Sequence, residues 1–212
     1  MNPDSLTDPS VTLRTRFRTA TRDAILDAAA ALFAADEASH VRMEDIAARA
    51  GIAVGTLYNY FEDRTALIGA LLDARSERLC AALDTAVGTV APADAEAFEA
   101  MLLRFVTVVG RHFDDSRVLL SVIAEDGRRR GIDASAATRR RSVLAQLHTR
   151  AGRVLAHGVR LRVLRRAEPG LHAALLIGMV RGLVLHALDR RRSFPAQGAA
   201  QVVRTFLRGA GQ

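Results

Sequence analysis

The sequence predicts an all-α protein. Half of the residues are hydrophobic, which is enough for a sizeable core, and Ala, Leu and Arg, which all favour helices, dominate the composition. Glycine and proline are sparse, and no strand-like alternation of apolar and polar residues occurs, whereas apolar residues recur at helical spacing. A chain of 212 residues has room for one large domain or two small ones.

The N-terminus is expected to be a flexible basic arm, residues 1–20, that leads into the first helix. The segment 1–10 is polar and has no apolar signal region. The following segment carries Arg14, Arg16 and Arg18 and no acid, which fits either a solvated tail or contact with DNA phosphates or a minor groove. A helix is predicted over 21–35, because one helical face carries Ile25, Leu26, Ala29, Leu32 and Phe33.

The next segment has the pattern of two short helices joined by a tight turn. A helix is predicted over 43–50, a left-handed terminator at Gly51, and a second helix over 54–61. Ala47 is small enough for the two helices to cross closely. The apolar positions that would lock the pair are Ile46, Ala50, Ile52 and Leu57, which together give a helix-turn-helix.

The rest of the chain is also expected to be helical. Asp63 is placed to cap a helix over 64–87. "DDS" is expected to break the next helix after Phe113, and Pro169 fits the first turn of a later one. The remaining predicted helices cover 94–113, a segment ending near 125, 134–157, a helix ending near 188, and 196–208, with polar loops over 88–96 and 126–133.

The outward side chains of the helix over 54–61 suit contact with DNA. Tyrosine and threonine hydroxyls are neutral donors for phosphate oxygens, asparagine can pair with adenine, and a threonine methyl can touch thymine. A glycine lets the backbone approach closely. The outward set is Gly55, Thr56, Tyr58, Asn59 and Tyr60, which includes both tyrosines of the chain.

The charge of the chain does not by itself indicate DNA binding. The net charge is +7, but residues 1–64 carry seven arginines against ten acids, a local net of −3. Residues 65–212 carry 23 arginines against 13 acids, a net of +10. Long-range attraction to DNA would therefore come from the arm and Arg64, while the neutral helix supplies the fit.

Residues 22–67 resemble the DNA-binding region of the TetR family of transcriptional regulators. The resemblance lies in "ILDAAAALF" and "DIAARAGIAVGTLYNYFEDRTAL" and in the spacing between them. It implies a DNA-binding domain over 21–63, a ligand-binding and dimerisation domain over 64–212, and a homodimer on operator DNA. Ligand binding would spread the two recognition helices. The implied DNA contacts are Val54, Gly55 and Asn59 at the bases, and Thr56, Tyr58, Tyr60 and Arg64.

The sequence departs from the family pattern at three positions. Ala53 stands where the family favours serine or threonine, so the cap of the recognition helix is missing. Arg42 replaces a capping threonine and could instead hold a phosphate directly. Glu37 replaces the usual glycine after the first helix, so that turn must differ.

Two sites are expected in the C-terminal part. A mostly aliphatic pocket is predicted near Phe98, Met101, Phe105 and Val122, with Glu125 or His148 as a polar contact. "GMVRG", 178–182, allows close helix approach, either inside one subunit or at the dimer interface. The predicted interface residues are Leu175, Gly178, Met179, Gly182 and Phe206.

Several function classes are disfavoured. The chain has no lysine, a single cysteine at Cys80 and no catalytic motif, so neither an enzyme nor a cofactor or metal site is expected. The apolar run 171–188 contains Arg181 at its centre, which favours a buried helix over a membrane span. The interpretation is a cytoplasmic, ligand-relieved repressor; the alternative is a helical protein-interaction adaptor without specific DNA binding.

Overall fold

A computed structural model of the chain describes residues 9–33, 41–130, 134–168, 170–190 and 192–211, with side chains over 13–33, over 41–115 and, within those ranges, from 143 onward. Every regular element in these ranges is a helix, and one isolated bridge pairs Leu164 with Gly211. The helices are α1 Pro9–Phe33, α2 Met43–Ala50, α3 Val54–Tyr58, α4 Arg64–Val87, α5 Ala95–Arg130, α6 Ala134–Arg160, α7 Leu171–Asp189 and α8 Gly198–Ala210. The predicted all-α fold is confirmed.

The first helix is longer than the sequence pattern predicts. α1 begins at Pro9 instead of near Thr21, so the part of the predicted arm after residue 8 is helical. No glycine interrupts this segment, and Pro9 stands at the first helical position, where proline is tolerated. Within the helix, the Thr21 hydroxyl donates to the Phe17 carbonyl at 2.9 Å. Residues 1–8, and Glu37 with its turn, lie outside the described residues.

The predicted break near "DDS" is wrong, because α5 runs without interruption from Ala95 to Arg130. Asp114 does not disrupt the helix, since its carboxylate accepts the Phe194 backbone N–H at 2.6 Å. The Asp115 carbonyl likewise accepts Arg75 Nη1 at 2.5 Å. Tertiary partners therefore hold helix-breaking residues in a helix. The helix also covers 126–130 of the predicted loop.

The end of α6 differs from the prediction as well. The helix was expected to end before Gly158 but continues to Arg160. Gly158 does not end the helix. It lets α6 pack closely against Phe98, because a Cβ at this position would lie 2.8 Å from Phe98 Cε1. The chain turns just after it, where Arg162 has φ 58° and the Leu164 N–H donates to the Gly158 carbonyl at 3.0 Å. Pro169 lies outside the described residues.

The chain divides into two compact units, Met1–Leu72 and Asp73–Gln212. In the first unit, α1 and α2 pack together around side chains such as Ile25, Phe33 and Leu67, all at most 1% exposed. In the second unit, α5 packs with α6, α7 and α8 around Phe98 and Phe105, both fully buried. α4 begins in the first unit and ends in the second.

Candidate nucleic-acid interface

The turn between α2 and α3 is fixed by Gly51. This residue has φ 69° and ψ 30°, a left-handed conformation that penalises any residue with a Cβ. Its N–H donates to the Ala48 carbonyl at 3.2 Å, and the Ile52 N–H donates to the Ala47 carbonyl at 3.0 Å. These two bonds form a Schellman motif, which closes the helix end and sets the direction in which the chain enters α3.

The predicted apolar lock between α2 and α3 is assembled in the structure. Ile46, Ala47 and Leu57 are fully buried, and α2 contacts α3 directly. Ala50 and Ile52 are half-buried beside them. Since these side chains fix how the two helices pack, the opposite face of α3 is held in place without a ligand.

The exposed face of α3 is narrower than the predicted outward set. Gly55, Tyr58 and Asn59 are exposed, with Tyr58 at 46%, whereas Val54, Thr56 and Tyr60 are half-buried. A Cβ at Gly55 would meet nothing within 4 Å, so this position is open to a close partner. The exposed face of α3 therefore presents neutral hydrogen-bonding side chains, those of Tyr58 and Asn59, and an open position at Gly55.

Helix α3 is short and lacks a side-chain cap, as predicted from Ala53. It ends at Tyr58 instead of Phe61, although the Tyr60 and Phe61 N–H groups still bond to the Leu57 carbonyl. The Ala53 carbonyl accepts from the Thr56 N–H at 2.9 Å, but no side chain caps this end. The amides at the start of α3 are therefore not held by a side chain.

Two arginines flank this surface in different ways. Arg42 is exposed, and its backbone N–H donates to Asp45 Oδ2 at 2.9 Å, so a carboxylate satisfies an amide at the start of α2. Arg64 is half-buried, and its guanidinium lies 5.4 Å from the Phe33 ring centroid. Arg22 lies over Phe61 in the same manner, at 5.6 Å. Arg64 thus contributes to packing as well as to local positive charge.

The predicted ligand residues lie in the core of the second unit. Phe98 and Phe105 are fully buried and Met101 is 3% exposed, while His148 is half-buried on α6. Phe98 fills the space beside Gly158 and Leu164. The side chains of Val122 and Glu125 lie outside the described residues.

The predicted interface residues divide into two groups. Leu175, Gly178 and Gly182 are exposed and Met179 is half-buried on α7. Phe206 is 3% exposed and stacks edge-on against His172 at 6.1 Å, so it is largely covered by other residues of this chain.

The sequence interpretation missed the full length of this apolar face. Leu171 and Leu185 are 45% and 47% exposed, and they extend the row through Leu175, Gly178 and Gly182. Their spacing of four, three, four and three residues marks one face of a helix. Because α7 is apolar nearly all round, the sequence could not separate this outer face from the buried one.

Two reactive side chains of the second unit have pKa values shifted by burial. Burial raises the pKa of the Cys80 thiol, which lies 3.1 Å from Gln146 Oε1. Burial, followed by the nearby Arg160 charge, lowers the pKa of His157. Among the described residues, no group of three His, Cys, Asp or Glu side chains could hold a metal ion.

α7 has the length and composition of a membrane-spanning helix. It nevertheless packs against α5, α6 and α8 in the second unit, and Arg181 interrupts its exposed face. These contacts make α7 a part of the helical bundle of the second unit.

Comparison with known proteins identifies the N-terminal region. Residues 25–71 match the sequence model of the bacterial regulatory proteins of the tetR family, and this match spans the helix-turn-helix described above. This N-terminal region is therefore similar to the DNA-binding region of the TetR family. Members of this family are DNA-binding transcriptional regulators and not enzymes. No curated protein is significantly similar in sequence to the whole chain.

Solved structures share the fold of this chain along most of its length. A putative TetR-family regulator from Mesorhizobium loti has a TM-score of 0.71 at 17% identity and covers 92% of this chain and 98% of its own. A transcriptional regulator from Cytophaga hutchinsonii has a TM-score of 0.72 at 19% identity, over 89% and 97%. SmeT, the repressor of the Stenotrophomonas maltophilia multidrug efflux pump SmeDEF, has 0.66 at 18% identity, over 90% of each chain.

Proposed function

We propose that this chain is a TetR-family regulator, a homodimeric repressor that binds operator DNA through α3 and leaves it when a small molecule binds the second unit. The observation that carries the proposal is the exposed face of α3, held in place by the Gly51 turn and the buried Ile46, Ala47 and Leu57. A fixed helix with exposed donors is what a major groove accepts. The proposed domains are an N-terminal segment over 1–20, a DNA-binding domain over 21–63 and a ligand-binding and dimerisation domain over 64–212.

The chemistry of α3 suggests how its residues divide the work. Exposed Tyr58 and the adjacent Tyr60 would donate to phosphates, and Asn59, with Val54 and Gly55, would face base edges. Thr56 is half-buried, so only the exposed part of its side chain would contact the DNA groove. Exposed Arg42 and half-buried Arg64 would add charge at the margins of the contact.

The outer face of α7 is the proposed dimer interface. A row of exposed leucines with two glycines among them supports this proposal, because the glycines would let a helix of the partner subunit approach closely. The exposed members of this row are Leu171, Leu175, Gly178, Gly182 and Leu185, with Met179 beside them.

Repression with ligand release and a cytoplasmic location are part of the same proposal. SmeT, with the same fold, is described as a repressor. The buried Phe98, Met101 and Phe105 are proposed to line the ligand site, with the half-buried His148 as its polar contact. This mechanism needs no prosthetic group, because it consists only of the binding of DNA and ligand and the release of DNA.

The proposal is tested by fluorescence anisotropy of the purified chain with duplex DNA from upstream of its own coding region. We expect specific binding, and we expect Tyr58→Ala to weaken it by about tenfold through loss of a phosphate contact. Val90→Ala, which truncates an exposed apolar side chain in the α4–α5 loop, is the matched control and should bind as the unmodified chain does. Failure to bind any upstream duplex specifically would favour a protein-interaction adaptor instead.

Dimerisation is tested separately by sedimentation velocity. Gly178→Arg should give a monomer and abolish DNA binding, because a long charged side chain would enter the helix contact. Val90→Glu, which adds a charge to an exposed apolar site elsewhere, should leave the dimer intact. A Gly178→Arg variant that remains dimeric would exclude α7 as the interface.

A further inference from the structure

A groove of about 420 Å³ lies between α4 and α5 in the second unit. The two helices run antiparallel along it, because Arg104 Nε donates to the Ala86 carbonyl at 3.1 Å near one end and Arg75 Nη1 donates to the Asp115 carbonyl at 2.5 Å at the other. Each helix contributes four residues spaced as one helical face. The lining residues are Arg75, Arg78, Leu79 and Ala82 of α4 and Val108, Arg111, His112 and Asp115 of α5.

The charged and apolar residues of this α4–α5 groove are separated along its length. Ala82 and Val108 line the end of the groove near the α4–α5 loop, and the buried Leu79 lies one helical turn before Ala82. The three arginines lie toward the opposite end, with Asp115 as the one carboxylate among the lining residues. Three guanidinium groups against one carboxylate leave a net charge of +2, beside an apolar wall.

The charged end is more than a solvated surface, because two of its groups are withdrawn from water. Arg75 and His112 are half-buried. Burial, then the charge of Arg78, lowers the pKa of Arg75, and burial, then the charge of Arg75, lowers the pKa of His112. Partly desolvated positive charge of this kind is stabilised by an anion.

We infer that the α4–α5 groove binds an organic anion with an apolar body, its carboxylate or phosphate at Arg75, Arg78 and Arg111 and its apolar part along Leu79, Ala82 and Val108. Guanidinium groups pair with carboxylate and phosphate in the same forked geometry, so both anions share this chemistry. Neutral His112 can add an N–H donor.

This inference rests on the proposed function, assigns a chemical class to its effector, and places that effector in the α4–α5 groove instead of at the buried centre around Phe98. Arg75 and Arg78 belong to the same continuous helix that begins at Arg64, one of the proposed DNA-contacting residues. An anion that binds α4 therefore contacts an element that the DNA-bound state also uses, which is the condition for coupling two sites.

The test is isothermal titration calorimetry of the full chain without DNA, using octanoate, octyl phosphate, octanol and inorganic phosphate as separate probes. Octanoate or octyl phosphate should bind, and octanol and inorganic phosphate should each bind at least about tenfold more weakly, since each lacks one half of the ligand. Preference between octanoate and octyl phosphate identifies the anion. Octanol binding as tightly as both anions would overturn the inference.

Variants separate the site from general attraction to a basic chain. Arg78→Gln/Arg111→Gln removes two exposed charges and should weaken anion binding by tenfold or more. Arg153→Gln, at an exposed position of α6 outside the groove, should leave it unchanged. Equal binding by the double variant and the unmodified chain would overturn the site.

The same probes are then added to the complex with upstream DNA. If the probe that binds the groove releases the chain from DNA, and if it no longer does so with the Arg78→Gln/Arg111→Gln variant, the effector role would be supported. A chain that binds DNA but none of the anions would refute the groove while leaving the repressor proposal intact. A chain that binds the anion but no DNA would refute the repressor proposal and leave the groove as a binding site.

Discussion

Replacement of Gly51 by alanine tests whether the turn between α2 and α3 is determined by backbone conformation. A Cβ at Gly51 would meet nothing within 4 Å, so the cost of the substitution comes from its φ of 69° and not from steric overlap. Holding a residue with a Cβ in the left-handed region costs roughly 1–2 kcal/mol, partly offset by the lower entropy of the unfolded chain. We expect Gly51→Ala to destabilise the folded chain by about 1 kcal/mol.

Gly55 provides a matched control in the adjacent helix. A Cβ there would also meet nothing within 4 Å, but Gly55 lies inside α3 and has no positive φ. Alanine is favoured over glycine in a helix by roughly 0.5–1 kcal/mol. Gly55→Ala should therefore stabilise the chain while weakening DNA binding, because the added methyl group lies on the exposed face of α3.

The two variants are compared by urea unfolding, followed by far-UV circular dichroism at one protein concentration, and by hydrogen exchange of residues 43–61. We expect the free energies of unfolding to differ by about 2 kcal/mol, with faster exchange at the Ile52 amide in Gly51→Ala. If both variants changed stability by the same amount in the same direction, the conformational explanation of the turn would be refuted.

Three further substitutions test packing, capping and pH dependence. Gly158→Ala should destabilise the chain by about 1–3 kcal/mol in urea unfolding, because its Cβ would lie 2.8 Å from Phe98 Cε1, and Phe98→Leu should restore part of the loss. Asp63→Ala removes the carboxylate that accepts an amide N–H at 2.7 Å at the start of α4 and should cost about 1 kcal/mol, while Asp63→Asn, which keeps an acceptor, should cost less. Because burial lowers the pKa of His112 below 6.5, the unfolded chain takes up a proton first, so stability should fall as pH drops through 6.5, and the fall should be smaller in His112→Gln. An unchanged unfolding midpoint in Gly158→Ala or in Asp63→Ala, or an unchanged pH profile in His112→Gln, would contradict the respective explanation.

The helix-turn-helix could be predicted because its determinants are local. The glycine at position 51 and the apolar positions around it lie within a few residues of one another, and the Asp63 cap needs only the next turn of chain. The continuous α5 could not be predicted, because Asp114 and Asp115 are held by partners 80 and 40 residues away.

The α4–α5 groove was missed for the same physical reason. Arg75 and Arg111 face one groove only because the two helices fold back on each other, and nothing in the local pattern distinguishes them from arginines on a solvated face. The burial of Phe206 within the chain could not be predicted, because an apolar position on α8 fits an internal core and a subunit contact equally well.

The central claim is that a neutral, exposed face of α3 contacts operator DNA, and the salt dependence of binding tests it most directly. The dissociation constant for upstream duplex DNA is measured at several salt concentrations for the unmodified chain, Tyr58→Phe and Arg42→Gln. Tyr58→Phe should weaken binding without changing the slope of log K against log salt, since a hydroxyl displaces no counterion, whereas Arg42→Gln should reduce the slope by about one. Unchanged affinity in Tyr58→Phe, at every salt concentration, would contradict the claim.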